Sequence, residues 1–76
     1  MKKYKVEAHS DSYDYGRMVR FDLESHLNYM AEKGWELQSE RVERTRIYQD
    51  RDMGGQYDKF GNEYHLTFSK SVANDL

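Results

Sequence analysis

One stretch decides the fold: residues 22–37 read DLESHLNYMAEKGWEL. Asp22 is a typical helix cap, because its carboxylate accepts hydrogen bonds from the free amides of the first turn. Gly34 is typical of the left-handed residue that ends a helix. Between them, apolar residues recur on one helical face at Leu23, Leu27, Met30 and Ala31. The stretch predicts an amphipathic helix that packs on a sheet, with residues 17–21 either in the helix or leading into it.

A first strand is predicted before this helix, over residues 3–9. Tyr4, Val6 and Ala8 alternate there with polar residues, which is the period of two expected for a strand with one buried face. We therefore expect the apolar side of this strand to lie in the core.

Two further strands follow the helix. Residues 35–48 alternate as a second strand, and the alternation changes phase near Arg41 and Val42, where we expect a β-bulge. Residues 64–69 alternate as the last strand. The coarse order is β-α-β-β, which predicts an α+β fold of two layers with one helix on a small, mainly antiparallel sheet.

The connections have turn composition. Residues 10–16 read SDSYDYG and are predicted to form a loop, and residues 49–62 carry Gly, Asp and Asn throughout and are predicted to form a long flexible connection. We expect residues 1–76 to form a single domain, with a core over about residues 3–70 and a frayed tail at 71–76.

The size of the chain favours self-association. A domain of 76 residues has one small core, which supplies only about 3–5 kcal/mol. Cysteine is absent, so no disulfide adds to it. His9, His26 and His65 lie far apart in sequence without the paired spacing of a structural zinc site, so we expect no metal and no cofactor. A second subunit is then the expected stabiliser.

The charge balance and the hydropathy of the chain argue against nucleic acids and membranes as partners. Twelve basic and fourteen acidic residues leave a formal charge of −2, whereas generic nucleic-acid binders carry a basic excess. No apolar run is long enough to span a bilayer, and no apolar segment follows the N-terminal lysines. We expect a cytoplasmic protein without a membrane partner. Seven tyrosines favour a binding role, since tyrosine suits half-buried surfaces and interfaces.

The helix and its flanks resemble a known pattern. Leu23, Leu27 and Ala31 are followed by EKGWEL at residues 32–37, behind a KYKV strand and ahead of a YHLTF strand. This resembles a family of short bacterial and phage proteins of unknown function, whose signature is a helix ending in Gly-Trp-Glu-Leu. The resemblance implies the same β-α-β-β fold and brings no known catalytic residue, substrate or cofactor.

The second strand carries the main candidate site. Arg44, Arg46 and Tyr48 are spaced two apart and lie near Arg41. If they share a face, they form a strip of guanidinium and aromatic groups that can hold a phosphate and stack a base. The alternative is a solvated strand face, because glutamates interleave with the arginines.

A second candidate lies before the helix. Tyr13 and Tyr15, with Arg17 and Arg20, form a polar and aromatic rim beside amides that favour anions. The alternative is that these tyrosines pack against a neighbouring strand.

Catalysis has little support. The histidines offer acid-base or metal-binding groups, but no nucleophile pattern, phosphate loop or paired metal motif accompanies them. Trp35 is expected to pack on the core, with a binding role as the alternative. Gly54 and Gly55 lie in an ordinary loop or in one that closes on a partner.

These observations lead to one functional expectation. We expect a small non-enzymatic binding module that self-associates through sheet edges or faces and takes a protein or a small, nucleotide-like anion as its partner. The alternative is a phage-type inhibitor or sequestering protein that binds a nucleotide or a host defence component.

Overall fold

The computed structural model describes residues 1–72. Its elements follow one another as β1 (Lys2–Ser10), β2 (Ser12–Asp14), β3 (Arg17–Val19), α1 (Leu23–Glu32), β4 (Glu36–Tyr48) and β5 (Lys59–Ser71). The predicted α+β class, with one helix on a mainly antiparallel sheet, is confirmed. In the described part of the chain, no helix is long and apolar enough to cross a membrane.

The main sheet has the strand order β1-β5-β4, and both pairings are antiparallel. The central strand β5 is therefore covered on both edges, whereas β1 and β4 each have one edge that no other strand of residues 1–72 pairs with. Residues directly opposite each other in an antiparallel pair point to the same face, so the register assigns each side chain to a face.

Helix α1 begins and ends where the sequence predicts. Asp22 accepts a hydrogen bond from the Ser25 amide at 3.0 Å, and the Ser25 amide and hydroxyl hold the pKa of Asp22 below its ordinary value. Gly34 has a φ of +87°, in the region that favours glycine. The Trp35 amide then donates to the Met30 carbonyl at 2.9 Å, which turns the chain back toward the sheet.

The core lies between α1 and the helix-facing side of β5. Met30, Leu66 and Phe68 are its buried members, and six partly buried residues pack against them: Phe21, Leu23, Leu27, Trp35, Leu37 and Tyr64. The expected packing of Trp35 on the core is confirmed. The core is nevertheless small, because many large apolar side chains of residues 1–72 remain exposed.

Strand β1 faces the opposite way from the sequence prediction. Glu7 lies opposite the buried Leu66 and therefore points toward the helix. Val6 lies opposite Thr67 on the other face and is 76% exposed, and Tyr4 is 66% exposed. The prediction that the apolar side of this strand is buried is wrong: the polar side faces the helix.

The segment predicted as a loop at 10–16 contains a second, two-stranded sheet. Strands β2 and β3 pair around Tyr15 and Gly16, whose φ angles are +51° and +79°. Positive φ at both central residues is the mark of a tight type I′ hairpin turn. Tyrosine rarely adopts this conformation, which is why the sequence pattern did not indicate a hairpin.

Asp11 fastens this hairpin to the main sheet. Its carboxylate is 1% exposed and accepts hydrogen bonds from the Phe21 amide at 2.8 Å and the Asn62 amide at 2.9 Å. Arg20 lies 3.7 Å from the same carboxylate. Asp11 therefore joins the segment before α1 to the central strand.

Other boundaries also differ from the sequence prediction. The register of β4 shifts at Gln38 and at Ile47, not near Arg41 and Val42. The connection predicted at 49–62 is shorter, since β5 already begins at Lys59. At the other end β5 includes Ser71, and the Val72 amide donates to the Met1 carbonyl at 2.9 Å, so this part of the expected tail is paired. The rest of that tail, 73–76, lies outside the described residues.

Candidate functional site

The arginine and tyrosine strip expected on β4 is divided between two faces. Arg44 and Arg46 lie opposite Asn62 and Phe60, on the helix-facing side of the sheet. The register shift after Arg46 places Tyr48 opposite Lys59 and therefore on the other face. The condition for a strip, that Arg44, Arg46 and Tyr48 share a face, is therefore not met.

The arginines of β4 also have carboxylate neighbours. Arg41 contacts Glu43 at 3.2 Å, and Arg46 donates to Asp58 at 3.1 Å. Arg44 makes no ion pair within residues 1–72. This arrangement agrees with the alternative of a solvated strand face, in which exposed ion pairs contribute little.

Two of the predicted tyrosines come into contact. The rings of Tyr13 and Tyr48 lie 5.1 Å apart, and the Lys59 ammonium lies 5.5 Å from the centre of the Tyr13 ring. Tyr13 thus packs against a strand, as the alternative interpretation expected. Tyr15 lies at the hairpin turn and is fully exposed, so the two tyrosines do not form one rim.

The loop between β4 and β5 is held by two carboxylates. Asp50 accepts from the amides of Asp52 and Met53, and Asp58 accepts from the amide of Asp50 at 2.8 Å. Asp58 also accepts a hydrogen bond from Arg46. Both side chains line a polar groove of about 480 Å³ at this loop, so the groove contains an acidic group next to a basic one. An anion there has to compete with Asp58.

The free edge of β4 carries a charge pattern with opposite signs at equal distances on either side of Val42. Residues 40–44 read Glu-Arg-Val-Glu-Arg, and every residue from 38 to 44 is exposed. Arg41 and Glu43 lie on the face away from the helix, opposite His65 and Glu63, while Glu40 and Arg44 lie on the helix-facing side. Between the register shifts at Gln38 and Ile47, this segment is regular.

An apolar groove lies at the C-terminal end of α1. It is about 480 Å³ in volume, and Leu27, Ala31, Trp35, Leu37 and Phe68 contribute to its wall. The Lys70 ammonium lies 5.6 Å from the centre of the Trp35 ring. Trp35 therefore combines its packing role with a surface that a ligand can reach.

The polar side of β1 forms a cluster with α1 that the sequence analysis missed. His9 and His26 each direct Nε2 at the same oxygen, Glu7 Oε1, at 2.9 Å and 2.6 Å. The side chains of Glu7, His9 and His26 are 12%, 30% and 19% exposed. Lys5 lies 3.4 Å from the other Glu7 oxygen. We refer to Glu7, His9 and His26 as the β1–α1 cluster.

Aromatic rings hold the cluster in place. Phe21 stacks on His9 with ring centres 4.5 Å apart and planes at 4°. The ring of Phe68 meets that of His26 edge-on at 6.1 Å, and the two imidazoles lie 4.5 Å apart. Both histidines are therefore fixed in orientation by packing.

The carboxyl group of Glu7 is strongly acidic in this setting. Partial burial acts to raise its pKa, but hydrogen bonds from His9, His26 and Lys5 outweigh burial and lower the pKa to about 2. Glu7 is thus an anion at neutral pH, next to two imidazole nitrogens.

One sequence signal for this cluster was present. Glu7 and His9 are two residues apart on a strand, and His26 lies beside the apolar stripe of the helix. The spacing of the histidines in sequence predicts no paired metal site, but the fold brings His9 and His26 together at Glu7. The reversed orientation of β1 is what places Glu7 and His9 under the helix.

A second histidine cluster lies on the opposite face. His65 Nε2 is 2.8 Å from a carboxylate oxygen of Glu63 and 3.6 Å from one of Glu43. It forms no hydrogen bond within the described residues, because its N–H does not point at either oxygen. Arg41 also contacts Glu43, so a positive charge already occupies this neighbourhood.

Comparisons with family models, curated proteins and solved structures find no match for this chain. The resemblance to the Gly-Trp-Glu-Leu family therefore stays a prediction.

Proposed function

We propose that this chain is a small non-enzymatic binding module that works as a homodimer, in which the free edges of two β4 strands pair. The observation that carries this proposal is the charge pattern on that edge. Positions at equal distances on either side of Val42 carry opposite charges, which are Arg41 and Glu43, then Glu40 and Arg44. Exposed edge strands are templates for pairing with another chain, and most soluble oligomers are two-fold symmetric.

Symmetry limits how two copies of β4 pair. A two-fold axis perpendicular to the sheet keeps every side chain on its own face, so only residues separated by an even number of positions lie opposite each other. An axis through Val42 places Arg41 opposite Glu43 of a second copy, and Glu40 opposite Arg44 of a second copy. Each contact occurs twice, so every charge of this segment meets the opposite sign.

Neighbouring registers lack this complementarity. An axis through Arg41 places two arginines directly opposite each other, and an axis through Glu43 places two glutamates opposite each other. Like charges in directly opposite positions are destabilising. The charge pattern therefore selects Val42 as the centre, within the regular part of the strand between its two register shifts.

The small core supports the same proposal. Among residues 1–72, only Met30, Leu66 and Phe68 form the buried apolar cluster. A domain this small often needs added stabilisation, and pairing of β4 extends the central sheet from three strands to six. Both helices then lie on one side of the six-stranded sheet. On the other side, the two faces that point away from the helices form one continuous surface, which we call the joined open face.

The joined open face is the surface we assign to a partner. Tyr4 and Val6 of each copy are exposed there on β1, the outermost strand. The charged pair Arg41 and Glu43 lies on β4, and β5 separates it from β1. This mixture of apolar and charged groups suits a protein better than a small anion, because Arg46 is already bound to Asp58 and Tyr48 lies away from Arg44. The nucleotide-sequestering alternative loses its main structural support for the same reason.

Sedimentation velocity over a wide range of protein concentration tests the proposal. One strand pair buries less than the roughly 1,200 Å² of a standard interface, so we expect a weak dimer with a dissociation constant of about 10 µM. High salt should weaken it, since exposed charge pairs are screened. A monomer at every concentration, in low salt, would falsify the dimer.

A further inference from the structure

The β1–α1 cluster has the composition of a metal site. Two imidazole nitrogens and one carboxylate oxygen converge from two different elements, and their ligand atoms all lie within 4.8 Å of one another. Two histidines and one carboxylate form a common ligand set for zinc and for related divalent transition ions. We propose that Glu7, His9 and His26 bind one such ion, with zinc as the best match.

The distances require only a small adjustment. Zinc lies about 2.0–2.2 Å from nitrogen and oxygen ligands, so ligands in a tetrahedral site are about 3.4 Å apart. The two imidazole nitrogens now lie 2.9 Å and 2.6 Å from Glu7 Oε1. Widening these contacts by roughly half an ångström to 0.8 Å admits an ion between the three groups.

The surroundings of the cluster also suit an ion. A single carboxylate oxygen faces both Nε2 atoms, and the rings are already fixed by Phe21 and Phe68. Ligands that are held in position before binding lose less entropy when the ion arrives. Lys5 is half exposed and can leave the second carboxylate oxygen, since its stem is long and flexible.

Three protein ligands leave the fourth position of a tetrahedral ion open. The side chains of the cluster are 12–30% exposed, so solvent reaches the cluster. Structural zinc sites are closed by four protein ligands, whereas three ligands with an open position accept water or a donor atom of another molecule. The cluster therefore offers a place where a small donor ligand can coordinate.

The second histidine cluster serves as an internal comparison. Glu43, Glu63 and His65 supply one imidazole and two more exposed carboxylates, with the Arg41 guanidinium 3.2 Å from Glu43. Each cluster has one cationic neighbour, since Lys5 lies 3.4 Å from Glu7, but the β1–α1 cluster supplies two imidazoles and this cluster only one. We expect an ion to prefer the β1–α1 cluster.

The first experiment uses the unmodified full chain, freed of metal with a chelator. Zinc is titrated into the protein at neutral pH by calorimetry, and we expect about one ion per chain. Long-range proton–nitrogen NMR spectra of the imidazoles then identify the ligands. Nε2 of His9 and of His26 should shift on adding zinc, while the His65 nitrogens stay in place. Absence of binding, or a shift confined to His65, overturns the proposal.

Variants provide the second experiment. We expect His9→Gln and His26→Gln each to weaken zinc binding by about a hundredfold or more, since even loss of an outer-shell partner costs 10–100-fold. His65→Gln is the matched control and should bind zinc as the original chain does. Circular dichroism checks that each variant folds. Equal affinity in all variants refutes the site.

A third measurement separates coordination from general stabilisation. Cobalt(II) replaces zinc and gives intense visible absorption in a four-coordinate site. We expect this absorption in the original chain and in His65→Gln, and its loss in His26→Gln. The outcome is independent of the proposed dimer, because the cluster lies on β1 and α1 while the proposed dimer uses the free edge of β4.

Discussion

Charge reversal on the free edge of β4 provides the most direct test of the dimer. In the register centred on Val42, Arg41→Glu replaces two opposite-charge contacts by two like-charge contacts. Cross-strand charge pairs contribute about 0.2–1 kcal/mol each, and like pairs oppose by a similar amount. We therefore expect the variant to weaken the dimer by roughly 1–3 kcal/mol, which is about 5- to 150-fold in dissociation constant.

A charge swap provides the matched control. The double variant R41E/E43R exchanges the two signs and restores both contacts in the register centred on Val42. Its dimer should return to within a few fold of the original. Because residues 38–44 are all exposed, neither variant should change the fold of the monomer, and circular dichroism checks this.

Two further variants test the pairing in a mixture. R41E/R44E makes the edge acidic and E40R/E43R makes it basic, so each should be monomeric alone. Mixed in equal amounts, they present four complementary contacts and should form a heterodimer. Sedimentation velocity at about 1 to 200 µM distinguishes these species for a dissociation constant near 10 µM. If the acidic variant dimerises as well as the original chain, the interface lies elsewhere and the register argument is refuted.

Three further predictions concern the fold. In metal-free protein the free energy of unfolding should fall as the pH drops from 4.5 toward 2, by at most about 3 kcal/mol. The pKa of Glu7 is lowered from 4.5 to about 2, so its stabilising charge is lost over that range. Urea titrations of the original chain and of Glu7→Gln check this, and equal pH slopes would contradict it. Asp11→Ala should cost about 1–3 kcal/mol for each buried amide left unpaired, and exposed Asp14→Ala in the same urea assay should cost far less. Val6→Lys should change stability by about 0.5 kcal/mol at most, whereas Leu66→Ala should cost about 2–5 kcal/mol; a similar cost for both would show that the apolar face of β1 is buried after all.

The features that depend on local chemistry were predictable from the sequence. Asp22 and Gly34 bound the helix through hydrogen bonds and a backbone angle that involve only neighbouring residues. The alternation around Leu66 and Phe68 predicted the last strand, and both of these residues are buried on its helix-facing side. These signals operate over a few residues and require no knowledge of the partner strands.

Features that depend on pairing were not predictable. Gln38 and Ile47 are bulges because each is an extra residue of β4 between partners of two consecutive β5 residues. The position of Tyr48 depends on the second bulge. The hairpin turn uses Tyr15 in a conformation that few tyrosines adopt. The β1–α1 cluster requires the fold to bring His26 within 2.6 Å of Glu7, which sequence spacing does not reveal.

The reversed face of β1 connects the two proposals. A strand with Tyr4, Val6 and Ala8 on one side gains most by burying that side, yet here the side with Glu7 and His9 lies against the helix. Placing a carboxylate and an imidazole there is costly unless their polar atoms are satisfied, and His26 supplies the missing contact at 2.6 Å. The apolar side then remains on the outside, where a partner rather than the core can cover it. The same orientation therefore creates both a polar cluster suited to an ion and an exposed apolar surface suited to a protein. Substitution of Glu7 and His9 should affect ion binding without removing the apolar surface, and substitution of Tyr4 and Val6 should affect protein binding without removing the ion site.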